Sequence, residues 1–274
     1  MKQVLTIAGS DSGGGAGIQA DLKAIHANGA FGMSALTSVT AQNTQEVRSA
    51  YDLPIEIIVA QIDAVFDDFD VSAVKTGMLS SSAIVDAVAE QLTRREVEHL
   101  VVDPVMISKS GYSLLKPDAV DRVKQVLLPI AEIVTPNLHE AALLTGGEVR
   151  TLDEAKAAGE AILALGPRAV LVKGGHLQDS STSVDVLWDG EGEPILFSAD
   201  RIETPNTHGT GCTFSAAIAA HLAHGKTIRE AVGAAKVYIT ETIRYGLAIG
   251  KGHGPTNHFY FLNRGDMGDG RTET

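Results

Sequence analysis

Short apolar runs and helical periodicities alternate along the whole chain. Gln3 to Ala8 (QVLTIA) is an apolar run of buried-strand length, and the glycine cluster 13-GGGAG-17 leads from it into a helical pattern, IQADLKAIHANG, stopped by Gly29. A second strand is expected in MSALTSVTAQ, β-branched until it turns polar at Gln42 and Asn43. PIEIIVAQIDAVFDDF opens with proline at a first helical position and repeats apolar residues at i, i+3 and i+4. Then come strand SAVKTGM, the Ser-capped helix SSAIVDAVAEQL, strand HLVVDPV, helix KPDAVDRVKQVLL, strand AEIVTPN, helices LHEAALLTG and TLDEAKAAGEAILAL, and strand AVLVKGG. SVDVLWDGEGEPILFSA reads as a hairpin around 189-DGEGE-193, and helices from Thr210 to His224 and from Thr227 to about Leu247 complete the pattern.

Strands separated by helices of this length imply right-handed crossovers and a mostly parallel sheet covered on both faces. The expected architecture is therefore α/β, with one small antiparallel hairpin. No internal repeat or linker-like shift in composition divides the chain. One domain is expected over 1–262, with the polar tail 263–274 frayed.

Composition narrows the function classes. With 274 residues, 44% of them hydrophobic, the chain can bury a full core. A net charge of −12 argues against a nucleic-acid binder, yet leaves room for an anionic ligand held by local amides or a metal. A single cysteine excludes an intrachain disulfide and a multi-cysteine zinc cluster, and makes a reducing, cytoplasmic compartment the default. The first apolar run is too short for a signal sequence, and no later one is long enough to span a bilayer, so no membrane partner is expected.

In an open parallel sheet, ligands bind outside the carboxyl ends of the strands. The distinctive polar residues fall on those ends: AGSDSGGGAG, AQNT, KTGM, DPVM, TPNLHE and KGGH follow six strands in succession. Any one of these is an ordinary strand-to-helix loop; together they point to one shared site. Neither glycine-rich loop has the spacing of a dinucleotide fingerprint or the lysine of a P-loop. Instead 209-GTGC-212 places glycine amides at a helix start, where unpaired N–H groups and the helix dipole attract a phosphate. Cys212 stands in that field, which lowers a thiol pKa and favours a base that deprotonates an attacking alcohol; the plainer reading is a small packed hydrophobe. Asn137 and Glu140, three apart, suit a hydrated Mg²⁺ and equally an N-cap with its capping-box glutamate. Asp103, bracketed by apolar residues at a strand end, calls for a ligand or a metal. His208, His221 and His224 form no metal box, having no third ligand at suitable spacing.

These motifs, with GIQADLK after the first loop, AALL after TPNLHE and NTHGTGCTFSAA, resemble those of the hydroxymethylpyrimidine/phosphomethylpyrimidine kinases of thiamine biosynthesis, a branch of the ribokinase-like superfamily, in register from Val4 to His258. Most of that superfamily has an aspartate base in the glycine turn; the pyrimidine kinases have cysteine, as here at Cys212. The resemblance implies a three-layer ribokinase-like sandwich, ATP and Mg²⁺ as cofactors, an aminopyrimidine substrate, two successive phosphorylations and a homodimer. It implies catalysis by Cys212 with the turn Gly209, Thr210 and Gly211. Asp21 and Gln42 are expected to read the pyrimidine, with Gly9, Ala16, Val39, Met78 and Val105 around the ring. Asp103, Asn137, Lys173, Thr207, Gly209 and Lys236 fall on the ATP side, and Asp103 and Glu140 on the metal. For Lys236 a solvated helix charge is the competing reading. Related pyridoxal kinases have methionine at the position of Gln42, so the glutamine favours a pyrimidine; pyridoxal stays the alternative substrate. A catalytically silent regulator is a further alternative, disfavoured by the intact cysteine and turn. The polar segment 106-MISKSGYS-113 is a candidate flap.

Overall fold

The computed structural model of the chain describes residues 1–106, 115–175 and 182–265. Its strands form a nine-stranded sheet in the order β3-β2-β1-β4-β5-β6-β7-β8-β9. The strands are β1 (Gln3–Asp11), β2 (Phe31–Gln42), β3 (Val47–Asp52), β4 (Val71–Thr76), β5 (Leu100–Val102), β6 (Ile133–Val134), β7 (Ala169–Val172), β8 (Thr182–Trp188) and β9 (Ile195–Asp200). From β2 to β7 neighbours run parallel; β3 on one edge and the β8–β9 hairpin on the other run antiparallel. Strand β3 is the element that periodicity did not predict. Its six residues are mostly exposed, so the pleat leaves no alternation of apolar and polar positions to read.

The helices are α1 (Gly17–Ala27), α2 (Ile55–Asp68), α3 (Ser82–Arg94), α4 (Pro117–Arg122), α5 (Leu138–Thr145), α6 (Leu152–Leu163), α7 (Thr210–Ala223) and α8 (Ile228–Arg244). The helix expected over KPDAVDRVKQVLL is real only as α4, continued by a π turn at Val123–Leu127 and a 3-10 turn at Leu128–Ile130. Pro129 has no N–H to extend an i→i−4 ladder, so the regular helix stops short of it.

Successive strand residues face opposite layers, as the pleat requires. Leu5, Ile7, Val74, Val102 and Val134 pack with α2, α3, α5 and α6; Val4, Ala73, Val101, Ile133 and Leu171 pack with α1, α7 and α8. Strands β1, β4 and β5 are therefore buried on both faces. Helix α7 is the most enclosed: ten of its residues are buried, and their alanines let it lie close under the sheet. No helix among the described residues is long and apolar enough to cross a membrane.

Candidate active site

A cavity of about 810 Å³ opens where the carboxyl ends of the parallel strands meet the start of α7. Two glycine-rich loops form its floor, and they are built into one another. After β1 the chain turns around Asp11, whose carboxylate accepts from the amides of Gly13 (2.7 Å), Gly15 (3.1 Å) and Ala16 (2.9 Å) and contacts Nε2 of His208 at 2.9 Å. Burial pushes the Asp11 carboxyl up, but His208 and those amides outweigh it and hold it below its ordinary value. His208 in turn precedes Gly209, the N-cap of α7, which sits in the left-handed region at φ 80°. A Cβ at Gly209 would stand 1.7 Å from the carbonyl oxygen of Gly15. Only glycine permits both the conformation and the approach. The helix start thus faces the cavity as the expected amide turn, with no side-chain cap on α7.

Thr207, Gly209, Thr210, Gly211 and Cys212 all line the cavity, as do Gly9, Ala16, Gln42, Met78 and Val105. Gln42 projects from the end of β2, with Nε2 at 3.4 Å from Nε2 of His208. Two of the residues expected around the pyrimidine stand elsewhere. Val39 is 42% exposed and pairs with Tyr51 on β3; strand alternation sends Thr40 and Gln42 toward the cavity and Val39 to the other side. Asp21 is fully buried, outside the cavity lining, where its two carboxylate oxygens accept from Nζ of Lys75 at 2.9 and 2.8 Å and one accepts from Thr6 Oγ1 at 2.6 Å. In the second turn of α1, both of its oxygens are engaged by Lys75 and Thr6 rather than turned to the cavity. Lys75 itself, in KTGM, does line the cavity, and the sequence reading passed it over.

The thiol departs from expectation in the opposite sense to the helix dipole. Cys212 is half-buried, and burial pushes its pKa up to about 12; Lys75 pulls it down, while Asp21 and Asp103 push it further up. Desolvation and two nearby carboxylates exceed what Lys75 and the Gly17 amide return, so the surroundings favour the neutral thiol.

Beside Gly211 and Ser215 at the start of α7 lies a polar wall. Asp103, 2% exposed, accepts from Lys173 Nζ at 2.8 Å and, at 3.3 Å, from Thr135 and Ser215. Burial raises the Asp103 carboxyl, but Lys173 and Lys75 together hold it below its ordinary value. Asn137 and Glu140 form a complete capping box: the Glu140 amide donates to Asn137 Oδ1 at 2.9 Å, and the Asn137 amide donates to Glu140 Oε2 at 2.8 Å. Both line the cavity as well, so the capping role and exposure to a ligand coexist. Burial raises the Glu140 pKa to about 7 against the pull of Lys173. On the far side Lys236 is 7% exposed, paired to Asp185 at 2.7 Å, with Asp185 also accepting from the Gly174 amide at 2.9 Å. It is a cavity-lining ion pair, not a solvated helix charge, and Asp185 is a site residue that the hairpin pattern did not reveal. Of the candidate flap 106–113, only Met106 lies within the described residues; the rest of it falls outside them.

Among the described residues no group of three His, Cys, Asp or Glu side chains is arranged to hold a metal. Asp103, Asn137 and Glu140 nevertheless offer only hard oxygen donors beside the amide turn. That set fits an ion that keeps most of its waters and shares phosphate oxygens, the habit of Mg²⁺ rather than of zinc.

A mainly parallel sheet whose carboxyl-edge cavity ends on a helix-start amide turn is the arrangement of a ribokinase-like small-molecule kinase. The chain belongs to the phosphomethylpyrimidine kinase family, whose model matches residues 11–257. It is 53% identical over 260 residues to the hydroxymethylpyrimidine/phosphomethylpyrimidine kinase of Rhizobium meliloti (strain 1021), covering 93% of this chain and 96% of that protein. It is 49% identical to the thiamine biosynthesis bifunctional protein ThiED of Geobacter sulfurreducens, over 93% of this chain and 52% of that longer protein. Among solved structures, an ADP complex of Bacillus subtilis pyridoxal kinase superposes with a TM-score of 0.89 at 39% identity, covering 96% of this chain and 99% of that one. Phosphomethylpyrimidine kinase from Clostridium difficile 630 superposes with a TM-score of 0.78 at 48% identity, covering 89% and 100%.

Proposed function

We propose that the protein uses ATP to phosphorylate 4-amino-5-hydroxymethyl-2-methylpyrimidine to its monophosphate and then to the diphosphate, as a step in thiamine biosynthesis. The observation that carries this reading is the meeting of Gln42, Cys212 and the 209–212 amide turn in one cavity. A carboxamide offers both a donor and an acceptor to an aminopyrimidine edge. Met78, Val105, Gly9 and Ala16 supply the apolar surround for the ring.

In the first transfer the thiolate of Cys212 takes the hydroxymethyl proton as the alcohol oxygen bonds to the γ-phosphorus. The bond from that phosphorus to the β-phosphate oxygen breaks and ADP leaves. The amides at the start of α7 and the ammonium of Lys173 meet the charge on the transferring group, and Thr207 and Lys236 lie on the nucleotide side. Asp103, Asn137 and Glu140 would hold Mg²⁺, which neutralises charge on the phosphates.

Pyridoxal is the second reading, favoured by the close superposition on pyridoxal kinases and opposed by Gln42. A homodimer and a cytoplasmic location complete the proposal; sedimentation and fractionation test them. The deciding experiment is mass-resolved product formation from Mg·ATP with the pyrimidine alcohol, its monophosphate and pyridoxal offered separately. Both pyrimidine products, with pyridoxal poor, are expected. Pyridoxal phosphate as the main product overturns the substrate, and nucleotide binding without transfer to any of the three overturns the kinase.

A further inference from the structure

We propose that the Asp21–Lys75 pair is a positioning element for Cys212. Asp21 fixes the ammonium of Lys75 where it favours the thiolate, and the pair matters far more when the acceptor is an alcohol than when it is a phosphate. This rests on the function proposed above and deepens it.

The geometry comes first. Both side chains are fully buried, and both oxygens of Asp21 are spent on Lys75, one of them also on Thr6. An ammonium has three N–H donors; among the described residues Lys75 gives two to Asp21 and leaves one over. Lys75 lines the same cavity as Cys212. Room for its ammonium is made by Gly77, where a Cβ would stand 2.8 Å from Nζ and 2.9 Å from the Cβ of Ala8. A buried ion pair is poor stabilisation, because an apolar pair of similar volume serves a core as well or better. A sealed pair at the edge of a reaction cavity therefore calls for another role.

Among the described residues the main charges acting on the thiol are Lys75, Asp21, Asp103 and Lys173. Of these, Asp103 is paired to Lys173 and still disfavours the thiolate, though less than Lys75 favours it. Lys75 is the stronger influence of its pair on the thiol, so its ammonium end, not the Asp21 carboxylate, dominates there. Burial opposes the charge on Lys75, but Asp21 overcomes it and keeps the ammonium protonated well above its ordinary range.

The two acceptors differ in what they ask of a base. The alcohol must give up a proton: Cys212 first releases its own to water, the thiolate takes the alcohol proton as the O–P bond forms, and the thiol later returns it to water. A phosphate monoester, with a second pKa of about 6, is already ionised near neutral pH and has no proton to lose.

Cys212 is the only thiol of the chain, so alkylation by iodoacetamide, read on the peptide that carries it, reports on that thiol alone. Its rate is measured by peptide mass after digestion from about pH 7 to 9 for the wild type, Lys75→Met and the double variant Asp21→Asn/Lys75→Met, beside turnover on both acceptors. Removing the ammonium is expected to slow alkylation about tenfold at each pH, the equivalent of about one pKa unit. Turnover on the alcohol should fall about tenfold further than turnover on the monophosphate. The double variant leaves no unpaired buried charge, so it carries the test if Lys75→Met does not fold. Unchanged alkylation, or equal loss on the two acceptors, overturns the proposal. If the wild type phosphorylates neither acceptor, the proposed function fails, while the alkylation rates still decide whether Lys75 acts on the thiol.

Discussion

Asp21–Lys75 and Asp103–Lys173 each set a carboxylate against an ammonium at 2.8 Å, and they stand at the carboxyl edge of one sheet. Their surroundings differ. The Lys75 side chain is 0% exposed and both oxygens of Asp21 are engaged by it and by Thr6, whereas Lys173 is 13% exposed and, among the described residues, Asp103 has otherwise two side-chain contacts of 3.3 Å. In the first pair both carboxylate oxygens are engaged and both side chains are enclosed; in the proposed mechanism the second turns its ammonium to a phosphate while Asp103 keeps its contacts to Thr135 and Ser215. On the function and the inference proposed above, the same two side chains make a fixed source of charge in one place and a ligand-binding group in another. Both lysines line the cavity, and what separates the pairs is how fully each is enclosed: Lys75 and Asp21 are 0% exposed, Lys173 13%.

Cys212 lies in the field of both lysines, so its removal tests the frame that they share. Cys212→Ala should lower turnover on the pyrimidine alcohol by about 10²–10⁴, the range of a general base. Steady-state rates with saturating ATP check this, and near-normal turnover removes the base from the mechanism. Lys173→Met should lower turnover on alcohol and monophosphate alike by about 10²–10³, as loss of a donor to developing charge does. A loss confined to the alcohol would make Lys173 another Lys75 and dissolve the contrast.

Gly209→Ala sharpens the comparison from the turn side. The added methyl meets the Gly15 carbonyl in a left-handed backbone, so the two loops must part. Turnover should fall on every acceptor by at least about tenfold, with a lower melting temperature from about 1–2 kcal/mol of backbone cost; unchanged kinetics would detach the turn from catalysis. The smallest effect is expected at Glu140. Its folded pKa, about 7, lies above the ordinary 4.5, so its contribution to stability is complete below about pH 4.5 and is lost as pH rises through about 7. Glu140→Gln keeps an acceptor for the Asn137 amide and carries no charge. It should therefore melt at or above the wild type at about pH 8, with the difference closing as pH falls toward about 4.5. A lower melting temperature at pH 8 would mean that ionised Glu140 is stabilised by Lys173 more than burial opposes it.

Most of the architecture was legible from local pattern. The strand–helix alternation was visible because both faces of the sheet are buried and both periods are strong; the exposed edge strand β3 was invisible for the opposite reason. The site was legible as a set of strand ends but not as a set of contacts. Val39 and Gln42 sit three apart on one strand, and only the pleat together with the pairing to β3 separates the exposed residue from the cavity residue. Asp185 lay hidden in a hairpin because its partner Lys236 is 51 residues away.

By itself the sequence determined whatever depends on neighbours along the chain. The Asn137–Glu140 capping box, the left-handed glycine that opens α7 and the order of strands and helices follow from dihedral preferences and hydrogen bonds within a few residues. Only the tertiary structure decided which aspartate meets which lysine, since Asp21 and Lys75 are 54 positions apart and Asp103 and Lys173 are 70. It also decided the sign of the shift at Cys212. The helix dipole is local and readable, but desolvation and the charges of Asp21, Lys75 and Asp103 arrive from distant segments, and in a low-dielectric interior they are the larger forces.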